Sequence, residues 1–464
     1  MFSANTYLHR REQLMHQVKR GLILLLGNEL SPKNYLDNTF PFRQDSTFLY
    51  YLGLDQPHLA ALLDAETGEC TLFGDELTIE DIIWMGPQPS LLEQAKQVGV
   101  TKVQAYDLLP EVLNVARKHN RAIHFLPPYR AVNKINLAYW LHLPLMELSK
   151  EVSIPLIQAI VAQRAVKTSE EIAEIEKALV TTKAMYLAAM RQTRPGIKEA
   201  QLAGIAQGIA VAAGGDLAYP IIMTVHGEVL HNHHYHHQLK SGQLVLADMG
   251  AESAMHYAAD ITRTWPVDAT FTQQQKEIYE IVLDAQLAGI ALSRPGVRNL
   301  DIHLNVAKVI TNGLKSLGLL QGDTDEIVQA GAHALFFPHG LGHMLGLDVH
   351  DMEDLGEEHT GYYDGLERST QFGLKSLRMG RELEPGFVMT VEPGIYFIPE
   401  LIDIWQKEGR FTQFINYPAL EAYRHFSGVR IEDDVLVTEN EPRVLGPSIP
   451  KTIAEIEKVR QEGK

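Results

Sequence analysis

Short apolar runs and longer periodic stretches alternate along the chain, and their distribution divides it into two parts. Up to about residue 155, the apolar runs have the length of strands and lie between polar or helical stretches. An amphipathic helix is predicted in the first twenty residues. Strands are predicted at residues 21–27, 46–53, 59–74 (a hairpin turned at Thr67-Gly68) and 122–127. We therefore expect an α/β accessory domain over 1–155 and a second domain over 160–464.

The second part contains long helical periods that occur twice. A first helix begins at a capping box of Thr168 and Glu171 and ends at the tripeptide Arg-Pro-Gly of 194–196. A second helix, 272–293, ends at the same tripeptide at 294–296, and each is followed by another helix and then by strands. This recurrence predicts an internal pseudo-duplication, and active sites form readily between two such halves.

Composition and charge exclude several classes of protein. With 45% hydrophobic and 21% charged residues over 464 positions, the chain is typical of a globular protein of two domains. The net charge of −17 argues against nucleic-acid binding, because no basic excess exists to meet phosphates. The longest apolar run near the N-terminus is far too short to span a bilayer, and the single cysteine, Cys70, fits a reducing compartment. We expect a cytoplasmic protein that binds neither nucleic acid nor membrane.

Candidate metal chemistry is concentrated in the second part. The stretch HGLGHMLGLDVH (339–350) interleaves histidines with glycines, which indicates backbone packed closely against a metal, a substrate or another strand. A loop with incidental histidines is the alternative. Carboxylates at or near the ends of apolar strands favour the first interpretation, because oxygen donors with one imidazole suit a pair of divalent ions such as Mn²⁺, Co²⁺ or Zn²⁺. These carboxylates are Asp248, Asp260, Glu392 and Glu432.

These residues resemble a known ligand set, that of the pita-bread metallopeptidases, which include methionine aminopeptidase, aminopeptidase P and prolidase. The resemblance runs from about residue 160 to the end, and the motifs HGLGHxLGLDVHD, TVEPGIYF and GVRIEDD are specific to the proline-specific branch. It implies a creatinase-like N-terminal domain followed in the sequence by an α+β pita-bread catalytic domain with a pseudo-twofold repeat. It also implies a homodimer and two divalent ions, with Mn²⁺ as first choice, held by Asp248, Asp260, His343, Glu392 and Glu432.

The resemblance further implies roles around the metal ions. Glu392 is expected to act as general base and then as general acid, in addition to binding metal. His350 is expected to stabilise the tetrahedral intermediate, and His231 to contact the substrate near the reacting bond. Substrate-side positions are implied for His339, which would line the proline pocket, and for Tyr396 and Arg430, which would also orient ligands.

Arg378 separates two activities of the branch. Aminopeptidase P takes longer peptides, whereas prolidase takes Xaa-Pro dipeptides and must bind their free carboxylate. The segment around Arg378 resembles that of prolidase, in which an arginine at this position is associated with the carboxylate, and guanidinium geometry suits such a pair. The alternative is a surface charge in a long loop. The sequence favours the dipeptidase, with the aminopeptidase as the alternative.

A pita-bread fold by itself is also compatible with two other functional classes. A pita-bread protein can serve as a non-enzymatic binding module, and a creatinase-like amidinohydrolase works without metal. The presence of all five ligands disfavours both.

A histidine cluster at 231–237, HNHHYHH, holds five histidines in seven residues. Such a cluster invites a separate zinc-site interpretation. His231 matches a position of the family, and for the others surface decoration is the favoured interpretation.

Overall fold

The chain passes from one structural unit to a second between Arg164 and Ala165, near the end of the helix Ile154–Ala165. The computed structural model describes residues 1–362 and 365–462. The first unit also includes Asp354–His359, and the second resumes at Thr360. The boundary predicted at 155–160 lies inside this helix. In the described part of the chain, no helix is both long enough and apolar enough to cross a bilayer.

A five-stranded mixed sheet organises the first unit. Its strand order is β6-β5-β4-β1-β7, with β1 antiparallel to β4 and parallel to β7. The strands are β1 (Leu22–Leu26), β2 (Pro32–Tyr35), β3 (Asn38–Thr39), β4 (Ala60–Asp64), β5 (Cys70–Phe73), β6 (Lys102–Gln104) and β7 (Ile123–His124). The helices are α1 (Ala4–Val18), α2 (Ser46–Leu52), α3 (Ile79–Met85), α4 (Leu91–Gln97), α5 (Leu109–Lys118), α6 (Ala131–Leu141) and α7 (Ile154–Ala165).

Three of the four strand predictions in this unit are confirmed, and one is wrong. The predicted hairpin forms β4 and β5, and Gly68 in its turn has φ +76°. The stretch 46–53, predicted as a strand, forms α2. Asp45 caps it by accepting from the Phe48 amide, and Gly53 ends it with φ +64°. Because every residue of α2 is buried, its apolar run carries no helical period that a sequence pattern could show.

The second unit contains paired helices and several small sheets. Its helices are α8 (Ser169–Gln192), α9 (Glu199–Ala212), α10 (Gln273–Leu292), α11 (Asn299–Ser316), α12 (Thr324–Ala330), α13 (Glu357–Thr360, shared with the first unit), α14 (Pro399–Lys407), α15 (Tyr417–Leu420) and α16 (Ile453–Glu462). Its strands are β8 (Asp216–Leu217), β9 (Ile222–Thr224), β10 (Leu244–Asp248), β11 (Ala251–Glu252), β12 (Thr262–Pro266), β13 (Val388–Val391), β14 (Gly394–Tyr396), β15 (Gly428–Arg430), β16 (Asp433–Leu436) and β17 (Arg443–Val444). Two three-stranded sheets, β12-β10-β9 and β13-β16-β17, carry the strand ends of interest.

The internal duplication predicted from the sequence is confirmed in the backbone. α8 and α10 both begin with a capping box, and each is followed by a turn glycine, Gly196 with φ +91° and Gly296 with φ +81°. After each turn, one residue forms an isolated antiparallel bridge to a later segment. These bridges are Lys198 to Gln238 and Arg298 to Glu382. Equivalent positions of the two halves thus make equivalent contacts.

Two buried histidines lie in the core of the second unit. His303 of α11 is 1% exposed and stacks on Phe337 with ring centroids 5.1 Å apart, and His333 is 3% exposed. Within the described residues, both ring nitrogens of His303 and Nδ1 of His333 have no hydrogen-bond partner. Burial lowers the pKa of His303 to about 3 and that of His333 to about 4. The fold therefore holds both rings neutral.

These histidines predict a loss of stability in mild acid. Below the unfolded pKa of about 6.5 the unfolded chain binds protons that the folded chain excludes, so the free energy of unfolding falls as the pH falls toward the folded pKa values. At pH 5 each histidine should cost about 2 kcal/mol relative to pH 7. In urea unfolding, the free energy of unfolding of His303→Phe should fall by about 2 kcal/mol less than that of wild type between pH 7 and pH 5, because one of the two histidines is gone. A control at the exposed His16, His16→Ala, should follow the wild type; an unchanged pH dependence in His303→Phe would contradict the assignment.

Candidate metal centre

Four carboxylates converge because the strands of the two halves end side by side. Asp248 is the last residue of β10 and pairs in register with Thr262 of β12. Asp260 lies two residues before β12, and Glu392 directly follows β13. Glu432 lies between β15 and β16 and forms an antiparallel bridge to Thr262. The strand ends of both halves therefore deliver acidic side chains to one place.

The stretch 339–350 packs its backbone against β13. The Thr390 amide donates to the carbonyl of His343 at 3.0 Å, and the His343 amide donates to the Thr390 hydroxyl at 3.1 Å. A Cβ at Gly342 would lie 2.0 Å from the Thr390 carbonyl oxygen, so only glycine fits there. The expectation that these glycines mark close backbone packing is confirmed, and the packing places His343 beside the carboxylates.

All five predicted ligands line one cavity of about 490 Å³. One donor atom each from Asp260, His343 and Glu432 lies within 4.8 Å of the other two. His343 Nε2 lies 3.4 Å from Asp260 Oδ2 and 3.7 Å from Glu392 Oε1. The remaining predicted ligand, Asp248, joins this group through hydrogen bonds to neighbouring side chains.

Tyr219 and Arg430 hold Asp248 in place. The Tyr219 hydroxyl lies 2.6 Å from Asp248 Oδ1 and 2.5 Å from Asp260 Oδ1, so its single proton is shared between two carboxylates. The Arg430 guanidinium donates to Asp248 Oδ2 at 2.7 Å and to the Tyr396 hydroxyl at 2.9 Å. Both oxygens of Asp248 therefore have partners that orient them.

The electrostatics of the cavity favour bound cations. Burial, together with neighbouring carboxylates, raises the pKa of Asp260, that of Glu432 and that of Glu392, the last to about 8. Burial opposes protonation of His343, but Asp260 and Glu392 outweigh it and raise its pKa. Four clustered carboxylates exceed the positive charge that surrounds them. Oxygen donors with one imidazole are what Mn²⁺, Co²⁺ or Zn²⁺ accept, so the residues present fit divalent metal ions.

Hydrogen bonds distinguish the two histidines of the stretch. His343 Nδ1 lies 3.0 Å from the Met344 carbonyl, which leaves Nε2 directed at the carboxylates. Both nitrogens of His339 are engaged, Nδ1 with the Gly340 carbonyl at 2.8 Å and Nε2 with the Tyr396 hydroxyl at 2.9 Å. This arrangement supports His343 as a ligand and His339 as part of the cavity wall. Tyr396 is fully buried and contacts His339 and Arg430, so it lies behind that wall.

Glu353 connects two of the other predicted residues. His350 Nδ1 lies 2.6 Å from Glu353 Oε2, and the Arg378 guanidinium forms an ion pair with Glu353 Oε1. His350, Arg378 and His231 all line the cavity. The His350 ring lies 4.0 Å from that of His343, whose charge, together with burial, lowers the pKa of His350 to about 2.

The sequence patterns missed four residues of this centre. Thr262 donates its hydroxyl to Glu432 Oε2 at 2.6 Å and accepts from Arg430 Nε, and Asp434 Oδ2 accepts from the Asp260 amide at 3.1 Å. Two of the four could have been suspected from their closeness in sequence to a predicted site residue, since Thr262 follows Asp260 by two residues and Glu353 follows His350 by three. For Tyr219 no pattern exists, because only the fold brings it between the aspartates.

Removing the Tyr219 hydroxyl tests its part in the centre. Tyr219→Phe is expected to lower the free energy of unfolding of the metal-free protein by about 1.5–3 kcal/mol, because a proton between two carboxylates is lost. Bound cations would offset the same repulsion, so the loss should shrink after Mn²⁺ loading. Urea unfolding with a chelator and with Mn²⁺ measures both. The exposed Tyr139 supplies the control, Tyr139→Phe; a chelated Tyr219→Phe as stable as wild type would refute the role.

The sequence is similar to two families of known domains and to curated peptidases. Residues 173–439 match metallopeptidase family M24, and residues 7–124 match the N-terminal domain of aminopeptidase P. The human Xaa-Pro dipeptidase is 33% identical over 448 residues, covering 94% of this chain and 88% of that protein. The Xaa-Pro aminopeptidase of Escherichia coli (strain K12) is 31% identical over 473 residues, covering 98% and 97%.

Solved structures extend the similarity to the fold. A Pseudomonas aeruginosa aminopeptidase superimposes with a TM-score of 0.83 and 28% identity, covering 100% of this chain and 99% of that one. A zinc-substituted Escherichia coli aminopeptidase P in complex with product gives a TM-score of 0.81, also with 28% identity. The predicted α/β N-terminal domain and α+β catalytic domain agree with these structures. The chain therefore belongs to metallopeptidase family M24, whose pita-bread fold its second unit adopts.

Proposed function

We propose that this enzyme hydrolyses the peptide bond that precedes proline, and that its preferred substrates are Xaa-Pro dipeptides. The preference for dipeptides rests on the position of Arg378, which lines the cavity of the metal centre. An arginine there offers a partner to the carboxylate that a dipeptide presents and a longer peptide lacks at that place. The relatives named as Xaa-Pro dipeptidases are consistent with this preference.

Arg378 can bind a carboxylate and keep its ion pair with Glu353. A guanidinium has five donors arranged in a planar fork, so two acceptors can occupy different edges. Its side chain is 35% exposed, which leaves it within reach of a ligand in the cavity. Glu353 also contacts His350, so the carboxylate-binding group and the catalytic histidine share one support. Binding of the dipeptide carboxylate would thus be coupled to the position of His350.

The proposed metal ions are two divalent cations, with Mn²⁺ as first choice. Asp248, Asp260, His343, Glu392 and Glu432, which all line the cavity, would hold them. Bound ions would supply Lewis acidity at the scissile carbonyl. The homodimer and the cytoplasmic location belong to this proposal. The homodimer rests on the resemblance to the family, and the cytoplasmic location on the single cysteine, Cys70.

In the proposed reaction, a side chain of the protein transfers the proton between the attacking water and the leaving group. Glu392 accepts the proton of the attacking water and delivers it to the proline nitrogen as the bond breaks. Its oxygens lie 3.7 Å from His343 Nε2 and 3.9 Å from His339 Nδ1, so histidines flank it on two sides. His350 is assigned to the oxyanion, and the contact between its Nδ1 and Glu353 Oε2 fixes the orientation of its ring.

The substrate preference is tested by comparing peptides of matched sequence. After Mn²⁺ loading, kcat/KM for Ala-Pro is expected to exceed that for Ala-Pro-Ala by at least about tenfold, in line with one bidentate ion pair. Metal analysis should find about two divalent ions per chain. A preference for the tripeptide would instead support an Xaa-Pro aminopeptidase, which the solved aminopeptidases that match the whole chain favour. Absence of both metal and hydrolysis would revive a non-enzymatic module or a metal-free hydrolase.

A further inference from the structure

Glu432 lies outside the strands that flank it, so its position depends on contacts with other parts of the chain. It falls between β15 and β16, and an isolated antiparallel bridge joins it to Thr262. Its amide donates to the Thr262 carbonyl at 3.1 Å, and its own carbonyl accepts from Arg263 Nη1 at 2.6 Å. The main chain of this predicted ligand is therefore held by two successive residues, and the second of them holds it with a side chain.

The Arg263 side chain is 1% exposed, and all of its donors are paired. A guanidinium has five N–H groups arranged in a planar fork. In Arg263 they donate to four carbonyls and one carboxylate, which belong to Thr262, Glu432, Ile449, Pro450 and Asp433. Because hydrogen bonds from a charged donor are stronger than those between neutral groups, this side chain has little freedom to move. The Glu432 carbonyl is therefore bonded to a rigid group.

Asp433 pairs with Arg263 through one carboxylate oxygen and is held by other residues through the second. Its Oδ1 accepts from Arg263 Nη2 at 2.6 Å. Its Oδ2 accepts from Lys451 Nζ at 2.6 Å and from Gln286 Nε2 at 2.9 Å, and Lys451 Nζ also donates to Gln286 Oε1 at 3.0 Å. Asp433 and Gln286 are buried, whereas the Lys451 side chain is 20% exposed. Lys451 is thus the outermost member of this network.

The segment 449–451, which precedes α16, supplies partners that a buried arginine requires. The carbonyls of Ile449 and Pro450 accept from Arg263 at 3.2 and 3.1 Å. Tyr279 of α10 donates its hydroxyl to the Lys451 carbonyl at 2.6 Å, which attaches the segment to that helix. A buried charge is costly unless its hydrogen bonds are all made, so these carbonyls help to keep Arg263 in place. Residues distant in sequence from Glu432 therefore contribute to its support.

We propose that Arg263 and Lys451 are positioning residues of the metal centre. Arg263 fixes the main chain of Glu432, and Lys451 fixes the guanidinium of Arg263 through Asp433. Neither side chain is among the described residues that line the cavity, so both act through Glu432 and not by contact with an ion or a substrate. Groups that orient ligands from outside the first layer contribute about 10–100-fold to metal affinity. This inference rests on the part of the proposed function that makes Glu432 a metal ligand.

The affinity for Mn²⁺ tests the role of Lys451. In calorimetric titration of the metal-stripped protein, Lys451→Met is expected to bind Mn²⁺ about tenfold more weakly than wild type, at the lower end of what an outer group contributes. Asp433 keeps Arg263 and Gln286 as partners in this variant, so the fold should survive. Lys451→Arg restores a cation at Asp433 and should recover most of the affinity. Lys458→Met, at an exposed lysine of α16, is the control and should bind as wild type does.

A second background separates positioning from a general weakening of the fold. In Glu432→Gln, the additional change Lys451→Met should alter Mn²⁺ affinity by less than about twofold, because the ligand through which Lys451 acts is already altered. Equal affinity in wild type and Lys451→Met, or the same loss in both backgrounds, would overturn this inference alone. A wild type that binds no Mn²⁺ would refute the proposed metal centre and this inference together. These affinities are informative whether or not the enzyme cleaves Xaa-Pro bonds.

Discussion

Replacing Glu392 by glutamine is expected to lower kcat for Xaa-Pro hydrolysis about 10²–10⁴-fold, the usual contribution of a positioned general base. The amide retains an oxygen of similar shape beside His343 but cannot accept a proton from water or return it to the leaving nitrogen. Glu392 lies in the cavity, with its oxygens 3.7 Å from His343 Nε2 and 3.9 Å from His339 Nδ1. The substitution should therefore affect the chemical step and leave the fold intact.

Steady-state kinetics and metal analysis on the same preparation separate the two roles of Glu392. If it is mainly a base, Glu392→Gln retains most of its metal and loses turnover; if it is mainly a ligand, both fall together. Glu400→Gln, an exposed glutamate in the first turn of α14, is the matched control and should behave as wild type. Activity of Glu392→Gln within about tenfold of wild type would remove the assignment of a general base.

Removing the guanidinium of Arg378 is expected to discriminate between substrates. Arg378→Ala should lower kcat/KM for Xaa-Pro dipeptides about 100-fold, since a charge-assisted contact to a carboxylate is worth about 1.5–3 kcal/mol. Xaa-Pro-Yaa tripeptides carry an amide in place of that carboxylate and should lose much less. Some loss on both is expected, because Glu353 loses its ion-pair partner and also supports His350. The ratio of the two losses therefore carries the information.

Kinetics on paired peptides of one sequence measure this ratio directly. Lys375→Ala removes a nearby exposed cation that does not line the cavity, and both substrates should be hydrolysed as by wild type. Arg378→Lys keeps the charge but loses the bidentate geometry, so partial recovery is expected on dipeptides. Equal losses of kcat/KM on dipeptide and tripeptide in Arg378→Ala would show that Arg378 supports the site without binding the substrate carboxylate. The proposed preference for dipeptides would then be wrong.

Local patterns predicted most of the fold because they report neighbours along the chain. The capping box of Thr168 and Glu171, the duplicated Arg-Pro-Gly turns and the hairpin at Gly68 are all confirmed by the structure. The failure at 46–53 has the same cause. Periodicity predicts a helix only when one face is polar, and every residue of α2 is buried.

The sequence by itself determined the chemistry available to this protein: four strand-end carboxylates, one glycine-flanked histidine stretch and a duplicated framework able to bring them together. The tertiary structure alone decided how these groups are used. Tyr219 forms hydrogen bonds with Asp248 and Asp260, which lie 29 and 41 residues further along the chain. Arg430 donates a hydrogen bond to Asp248, from which it is separated by 182 positions in the sequence. Such hydrogen bonds leave no periodic trace, because they depend on where distant strands end and not on neighbouring residues. For the same reason, only the folded chain shows that His343 keeps a nitrogen for the carboxylates, whereas both nitrogens of His339 are occupied.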